Sequence, residues 1–292
     1  LGVSMANVSL LRLDLLDSVA PGNKLFKLTP ALQQARQQGI RRIVSFGGAW
    51  SNHLHALAAI GYREGLQTVG IVRGNDGGDD TPTLRDARAW GMVLQRVSRS
   101  EYRRRNDPDY LAMLQRRYSP CLVLTEGGAS VDGARGCLEI ARLIGDLGYT
   151  GRSIVLAVGT GTTLAGVAAG LPPDREVIGV SALKGAADLE VRTGGALQGL
   201  AAEDGAAEHA AWQILHQEHC GGFARVNAEL RDFMLAFEAV HRVPLDPVYT
   251  GKVLLAMHRR LASGEWSADE PLLAIHSGGH QGRRGYPWLT GP

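Results

Sequence analysis

The sequence predicts an α/β fold whose parallel sheets are covered by helices on both faces. Three observations carry this. Short, nearly continuous apolar runs recur along the chain, as buried parallel strands require. Alanine- and leucine-rich stretches of helical length alternate with them. Glycine clusters at 47–48, 127–128, 159–161 and 278–279 each follow directly on one of the apolar runs.

In order, strands are expected over 42–46, 68–72, 92–97, 121–125, 153–158, 176–180 and 271–276. Helices are expected over 52–59, 83–91, 133–147 and 164–170, the second stopped by Gly91. A turn is expected through Arg73-Gly74-Asn75-Asp76-Gly77-Gly78. The stretch 194–209, rich in Ala and Gly and poor in periodicity, reads as a surface excursion. There is no internal repeat. In open parallel sheets a ligand sits beyond the carboxyl ends of the strands, so the four glycine clusters are candidates to converge on one site.

Composition narrows the function classes. The chain has 292 residues, with Lys+Arg 31 against Asp+Glu 29. That near-balance gives no reason to expect a nucleic-acid or membrane partner. The one dense basic run, Arg103-Arg104-Arg105, lacks interleaved aromatics and reads as a solvated helix end. Glycine is abundant, 38 residues, but clustered and not periodic, which excludes collagen-like and solenoid folds. Three cysteines without a CxxC pair (Cys121, Cys137 and Cys220) imply a reduced, cytoplasmic setting. No apolar stretch approaches the ~18 residues of a membrane span. The opening Leu1-Gly2-Val3-Ser4-Met5 has no basic n-region before an apolar one, so no secretory signal is read there. A start at Leu suggests that a short natural N-terminus is missing.

Several short motifs carry possible chemistry. Val158-Gly159-Thr160-Gly161-Thr162-Thr163 lies between a strand and a helix, where backbone N–H groups and the helix dipole bind phosphate. A dinucleotide fingerprint would need glycine where Leu164 stands, and no GxxxxGK[ST] run occurs. A monophosphate cradle and a plain strand-to-helix turn both remain open. Lys24 and Lys27, three apart after Pro21-Gly22-Asn23, would share a helix face. Lysine forms Schiff bases with aldehydes, and burial favours its free amine; without further context, solvated charges at a helix start are the plainer reading of both. Gly47-Gly48-Ala49-Trp50-Ser51-Asn52-His53 places a hydroxyl, an amide and an imidazole at a helix mouth. That suits a substrate carboxylate or an ordinary N-cap, and the two are compatible. His53 and His55, and likewise His276 and His280, have no carboxylate partner at ligand spacing, so no metal site is expected. No GxSxG elbow supports a serine hydrolase.

Taken together, Gly22-Asn23-Lys24, Ser51-Asn52-His53, Gly159 to Thr163, Leu245-Asp246-Pro247-Val248-Tyr249-Thr250-Gly251-Lys252 and His276-Ser277-Gly278-Gly279 resemble one family. It is the D-cysteine desulfhydrase and 1-aminocyclopropane-1-carboxylate (ACC) deaminase family of pyridoxal-phosphate enzymes, with the tryptophan-synthase-β fold. The resemblance runs from about residue 10 to 285. It implies a two-lobed fold type II enzyme: a smaller lobe over 28–145, and a larger cofactor-binding lobe from 1–27 and 146–292. Lys24 would carry pyridoxal 5′-phosphate as a Schiff base and later move a proton, with Lys27 its unmodified neighbour. Ser51, Asn52 and His53 would take the substrate carboxylate, with Asn52 also near the cofactor ring hydroxyl. Gly159, Thr160, Gly161, Thr162 and Thr163 would cradle the phosphate.

By the same resemblance Ser277 faces the pyridine nitrogen, and Tyr249 acts on the leaving group or on Ser51. ACC deaminases carry Glu and Leu where this chain has Thr250 and Ser277, which points to β-elimination of D-cysteine to pyruvate, sulfide and ammonia. ACC deamination to 2-oxobutyrate and ammonia is the alternative. A pyridoxal-phosphate protein with little catalysis is a second, because Phe223 stands where the family has another active-site tyrosine. Trp50 is bulkier than the family's usual residue. A homodimer acting on a small amino acid is implied.

Overall fold

The computed structural model describes residues 5, 7–74, 78–204 and 208–290. The predicted turn residues Asn75, Asp76 and Gly77, and most of the opening segment, lie outside the described residues. In chain order the elements are β1 (Val8–Arg12), α1 (Asn23–Gln37), β2 (Arg42–Gly47), α2 (Asn52–Glu64), β3 (Gln67–Arg73), α3 (Pro82–Ala89), β4 (Val93–Val97), α4 (Arg99–Arg103), α5 (Pro108–Tyr118) and β5 (Leu122–Val123). They continue with α6 (Val131–Asp146), β6 (Ser153–Val158), α7 (Thr162–Ala169), β7 (Glu176–Ser181), α8 (Leu189–Asp204), β8 (Ala211–Leu215), α9 (Ala228–His241), α10 (Thr250–Ser263), β9 (Leu272–His276) and α11 (Pro287–Thr290). A 3-10 turn, His280–Gly285, links β9 to α11.

Two sheets result, one in the order β4-β3-β2-β5 and the other β1-β9-β6-β7-β8. Every pairing in both is parallel. The strands of the four-stranded sheet all come from between Arg42 and Val123, and those of the five-stranded sheet from either side of that stretch. Central strands are buried along their length, as in Leu272–His276, because helices cover both faces. Each Leu, Ile or Val taken out of water there contributes roughly 1.5–3 kcal/mol. Helix α7 is buried on every side, which explains its all-apolar sequence after the threonines. It packs with α6, Ile154 and Leu273 in one core cluster.

Two expectations change. The stretch 194–209 is not a surface excursion at its start: α8 extends to Asp204 and buries Leu197 and Leu200. Its Ala and Gly content blurs the helical period, since small residues serve the buried and exposed faces equally. The basic run likewise does more than cap a helix, because Arg105 pairs with Glu126 at 2.6 Å.

Candidate active site

The carboxyl ends of β2, β6 and β9 bring the glycine turns toward one another. Helix α1 starts among them. Its N-cap, Gly22, has φ 89°, and a Cβ there would lie 2.0 Å from the Ser277 carbonyl oxygen. Only glycine meets both demands. The Asn23 N–H donates to that same carbonyl at 3.2 Å. The first turn of α1 is thereby pressed against the turn that carries Ser277.

Lys24 and Lys27 occupy that first turn and differ sharply. Lys27 is buried, and its amine donates to the Gly127 carbonyl at 3.3 Å and to Thr160 Oγ1 at 3.2 Å. Among the described residues Lys24 Nζ reaches only the neighbouring Asn23 Oδ1, at 3.2 Å. Burial, reinforced by the charge of Lys27, lowers the Lys24 pKa to about 7. Near neutrality a large fraction of its amine is therefore free and nucleophilic.

The loop after β6 is tied to α1 as well. Asn23 Nδ2 donates to Thr163 Oγ1 at 2.9 Å, and the Thr160 and Thr162 hydroxyls share a bond of 2.9 Å. Gly161, the N-cap of α7, has φ 83°. A Cβ on it would lie 2.4 Å from Thr193 Oγ1 of α8, so this turn too requires glycine. The first-turn N–H groups of α7 have no intrahelical acceptor, and they open beside these hydroxyls.

At the mouth of α2, Ser51 caps its helix by accepting from the Leu54 N–H at 3.2 Å. Asn52 is half-buried, and its Nδ2 would lie 3.2 Å from a Cβ on Gly279. His53 is buried with Nε2 on Ser45 Oγ at 2.9 Å. Burial beside Lys24 and Lys27 drops its pKa to about 3. It is therefore neutral at pH 7 and brings no positive charge to a substrate carboxylate.

Tyr249 precedes α10 and faces Gly159, whose Cβ would meet the phenol oxygen at 3.5 Å. Burial first, then the charges of Asp246 and Glu126, raise its pKa, so it is a neutral phenol. Its ring stands edge-on to Phe223, with centroids 6.3 Å apart. Thr250 is fully buried.

Residues 7–278 match the family described as pyridoxal-phosphate dependent enzyme. The chain belongs to that family. It is similar to the D-cysteine desulfhydrase of Salmonella choleraesuis (strain SC-B67), at 29% identity covering 90% of this chain and 85% of the relative. The D-cysteine desulfhydrase of Salmonella newport (strain SL254) is 28% identical over the same shares. Among solved structures, an ACC deaminase homologue superposes with TM-score 0.84 at 24% identity, covering 96% of this chain and 86% of its own. An O-acetylserine-dependent cystathionine β-synthase from Helicobacter pylori gives TM-score 0.64 at 14% identity, with 94% and 88% covered. These neighbours share the two-sheet architecture of fold type II.

The residues present fit pyridoxal 5′-phosphate, the family's cofactor. Buried polar atoms normally find partners, yet Thr193 Oγ1, Thr250 Oγ1 and His53 Nδ1 have none among the described residues. They belong to α8 beside Gly161, the start of α10 and the α2 mouth, and a polar ligand among these elements would supply partners. The fold also gives a role to a residue that the motifs contain without assigning it one. Asp246 is buried and accepts the N–H groups of Val248 at 3.0 Å, Tyr249 at 2.9 Å and Thr250 at 2.7 Å. The Asp-Pro pair ahead of a helix was its available signal.

One expectation is corrected outright. The histidines 276 and 280 do have a carboxylate beside them, because the β1–β9 pairing sets Arg12 opposite His276 and so carries Asp14 across. His280 Nε2 meets Asp14 Oδ2 at 3.0 Å and His276 Nδ1 meets Oδ1 at 3.4 Å. Sequence spacing could not reveal a partner more than 260 positions away. Both Asp14 oxygens also accept from the Arg12 guanidinium, at 2.8 and 2.7 Å. No metal function follows from a carboxylate already engaged in this way.

No helix among the described residues is long and apolar enough to cross a membrane.

Proposed function

We propose that this chain is a lyase that eliminates sulfide from D-cysteine, consuming water and leaving pyruvate and ammonia. The observation that carries the reading is the contrast between its two lysines. Lys24 offers a half-buried amine, a large fraction of it free near neutrality, whereas Lys27 is spent on the Gly127 and Thr160 contacts. Lys24 would hold the cofactor and then take the Cα proton. Pyridoxal phosphate supplies an electron sink for the electrons that the broken Cα–H bond leaves behind. Ser51 and Asn52 would bind the substrate carboxylate, with neutral His53 behind them. The loop Gly159 to Thr163 would receive the phosphate. Tyr249, a neutral phenol, would hand its proton to the departing sulfur.

Two features favour D-cysteine over ACC. The chain is similar to D-cysteine desulfhydrases over most of its length, and positions 250 and 277 carry uncharged hydroxyls. Without a carboxylate at position 250, ring opening of ACC lacks an acid–base group near the pyridine nitrogen. A smaller lobe over 28–145 is proposed to close on the larger across Lys24 and exclude water. A cytoplasmic homodimer completes the reading, and sedimentation would check the dimer.

The deciding experiment identifies the 2-oxo acid formed when pyridoxal-phosphate-loaded protein meets D-cysteine, L-cysteine, D-serine or ACC. Pyruvate chiefly from D-cysteine supports the proposal. 2-Oxobutyrate from ACC, or no product from any of the four, overturns it.

A further inference from the structure

The 3-10 turn His280–Gly285 leaves the five-stranded sheet and crosses to helices α2 and α3 beside the four-stranded one. Arg284 pairs with Asp86 there. Gln281, half-buried in the same turn, makes three contacts. Its Nε2 reaches the Trp50 backbone carbonyl at 3.3 Å and also Asn52 Oδ1. Its Oε1 faces the hydroxyl of Thr83, which is fully buried.

These contacts fix the orientation of both amides. The two ends of an amide look alike in shape, so orientation has to be assigned from bonding partners. A backbone carbonyl can only accept, so the Gln281 atom facing Trp50 must be the NH₂ group. The Gln281 oxygen then necessarily takes the Thr83 hydroxyl. The Asn52 atom facing that same NH₂ must in turn be its carbonyl oxygen. Asn52 is left with its own NH₂ aimed away from Gln281, toward Gly279 and the turn that carries Ser277. An NH₂ so directed can donate to an anionic oxygen and cannot repel one.

We propose that Gln281 is a positioning residue that sets the Asn52 amide as a hydrogen-bond donor into the cofactor site. This rests on the pyridoxal-phosphate site proposed above, and it adds a residue whose role is to hold another in one of two orientations. The Thr83 hydroxyl fixes Gln281, Gln281 fixes Asn52, and Asn52 presents its N–H groups to an anionic oxygen of the cofactor or substrate. An acceptor at position 281 would turn the Asn52 amide round and point its carbonyl oxygen at that anion.

The test compares Gln281→Lys, which keeps only donors, with Gln281→Glu, which keeps only acceptors. Both are read in the full-length protein by the position of the visible cofactor band and by the dissociation constant for pyridoxal phosphate. Gln281→Lys is expected to stay near the parent in both. Gln281→Glu is expected to shift the band and weaken binding roughly tenfold, the scale of a hydrogen bond to a charged group. In an Asn52→Ala background the two are expected to become equivalent. If Gln281→Glu does not fold, Gln281→Met, which removes the donor without adding a strong acceptor, is expected to weaken binding less than the acceptor would but more than Gln281→Lys. Equal behaviour of the donor and donor-less variants with Asn52 intact would overturn the role of Gln281. Absence of any Lys24-dependent band in the parent protein would instead overturn the proposed function, so the two failures are distinguishable.

Discussion

The side-chain amide of Asn23 donates to Thr163 Oγ1 at 2.9 Å, bridging 140 positions of sequence. One end of that bond adjoins Lys24 and the other lies in the loop after β6. It ties the start of α1, and so Lys24, to the N-terminus of α7, the span that the proposed function gives to a phosphorylated aldehyde.

Lys24→Ala is expected to abolish the visible absorbance that pyridoxal phosphate gains on binding. Lys27→Ala is expected to keep the band while weakening cofactor binding, since its amine braces Thr160 and Gly127. A titration followed by absorbance separates the two, and a band surviving in Lys24→Ala would reverse the assignment.

Attachment of the cofactor should depend on pH through the same amine. Burial and the charge of Lys27 hold Lys24 at about pKa 7, so the protonated form dominates below that and cannot attack. The rate of band formation is expected to rise as pH increases through 7 and then level off. Lys27→Ala removes one of the two lowering influences, which should move the midpoint upward. Stopped-flow absorbance would record both.

How far the site was legible in the sequence depended on distance along the chain. The strands ending at Phe46 and Val158 could be read because burial on both faces leaves unbroken apolar runs. The lysine pair and the glycine-threonine loop were open to more than one reading by themselves, and only the resemblance across the whole set of motifs gave them an expected role. His53 was visible as a residue but not as a neutral one, since its state comes from burial beside two lysines. Asp14 and Gln281 were not legible at all. Their meaning comes from His276 and Asn52, which the fold brings to them from across the chain. Helix α8 was missed because small residues mask a period that only packing enforces.

Asp246→Ala should destabilise the protein and disturb the active site together. Its buried carboxylate collects three backbone N–H groups ahead of α10, and charge-assisted bonds are worth about 1.5–3 kcal/mol each when broken singly. A loss of about 3 kcal/mol is expected in chemical denaturation. Turnover should fall as well, because Tyr249 is one of the three residues held.

Acid sensitivity should trace in part to Asp14. Burial alone would raise its pKa, but the hydrogen bonds from Arg12 and His280 outweigh that and hold it well below the usual carboxylate range. Its contribution is therefore complete above the unfolded-state pKa near ~4 and is lost as pH falls below that. Asp14→Asn should lower stability at pH 7 and flatten the decline between roughly pH 4 and 2. Denaturation midpoints across that range would show a parallel decline if Asp14 were uninvolved.

Phe223→Tyr would return a hydroxyl beside Tyr249, across the edge-on ring contact. Turnover on D-cysteine is expected to rise roughly tenfold if the phenol assists proton transfer. An unchanged rate would show that the apolar ring serves the pocket as it stands.

Among the described residues strand β1 pairs only with β9, and β9 separates it from β6. During synthesis β1 precedes every other described strand but has no neighbour in its sheet until Leu272–His276 have left the ribosome. The strands of the four-stranded sheet are all available by Val123 and can associate while the rest of the chain is still being made. The Gly22–Ser277 contact that seats Lys24 is thus among the last to form. A chain released before residue 272 can form the four-stranded sheet but lacks β9, and with it the turn against which the start of α1 is seated.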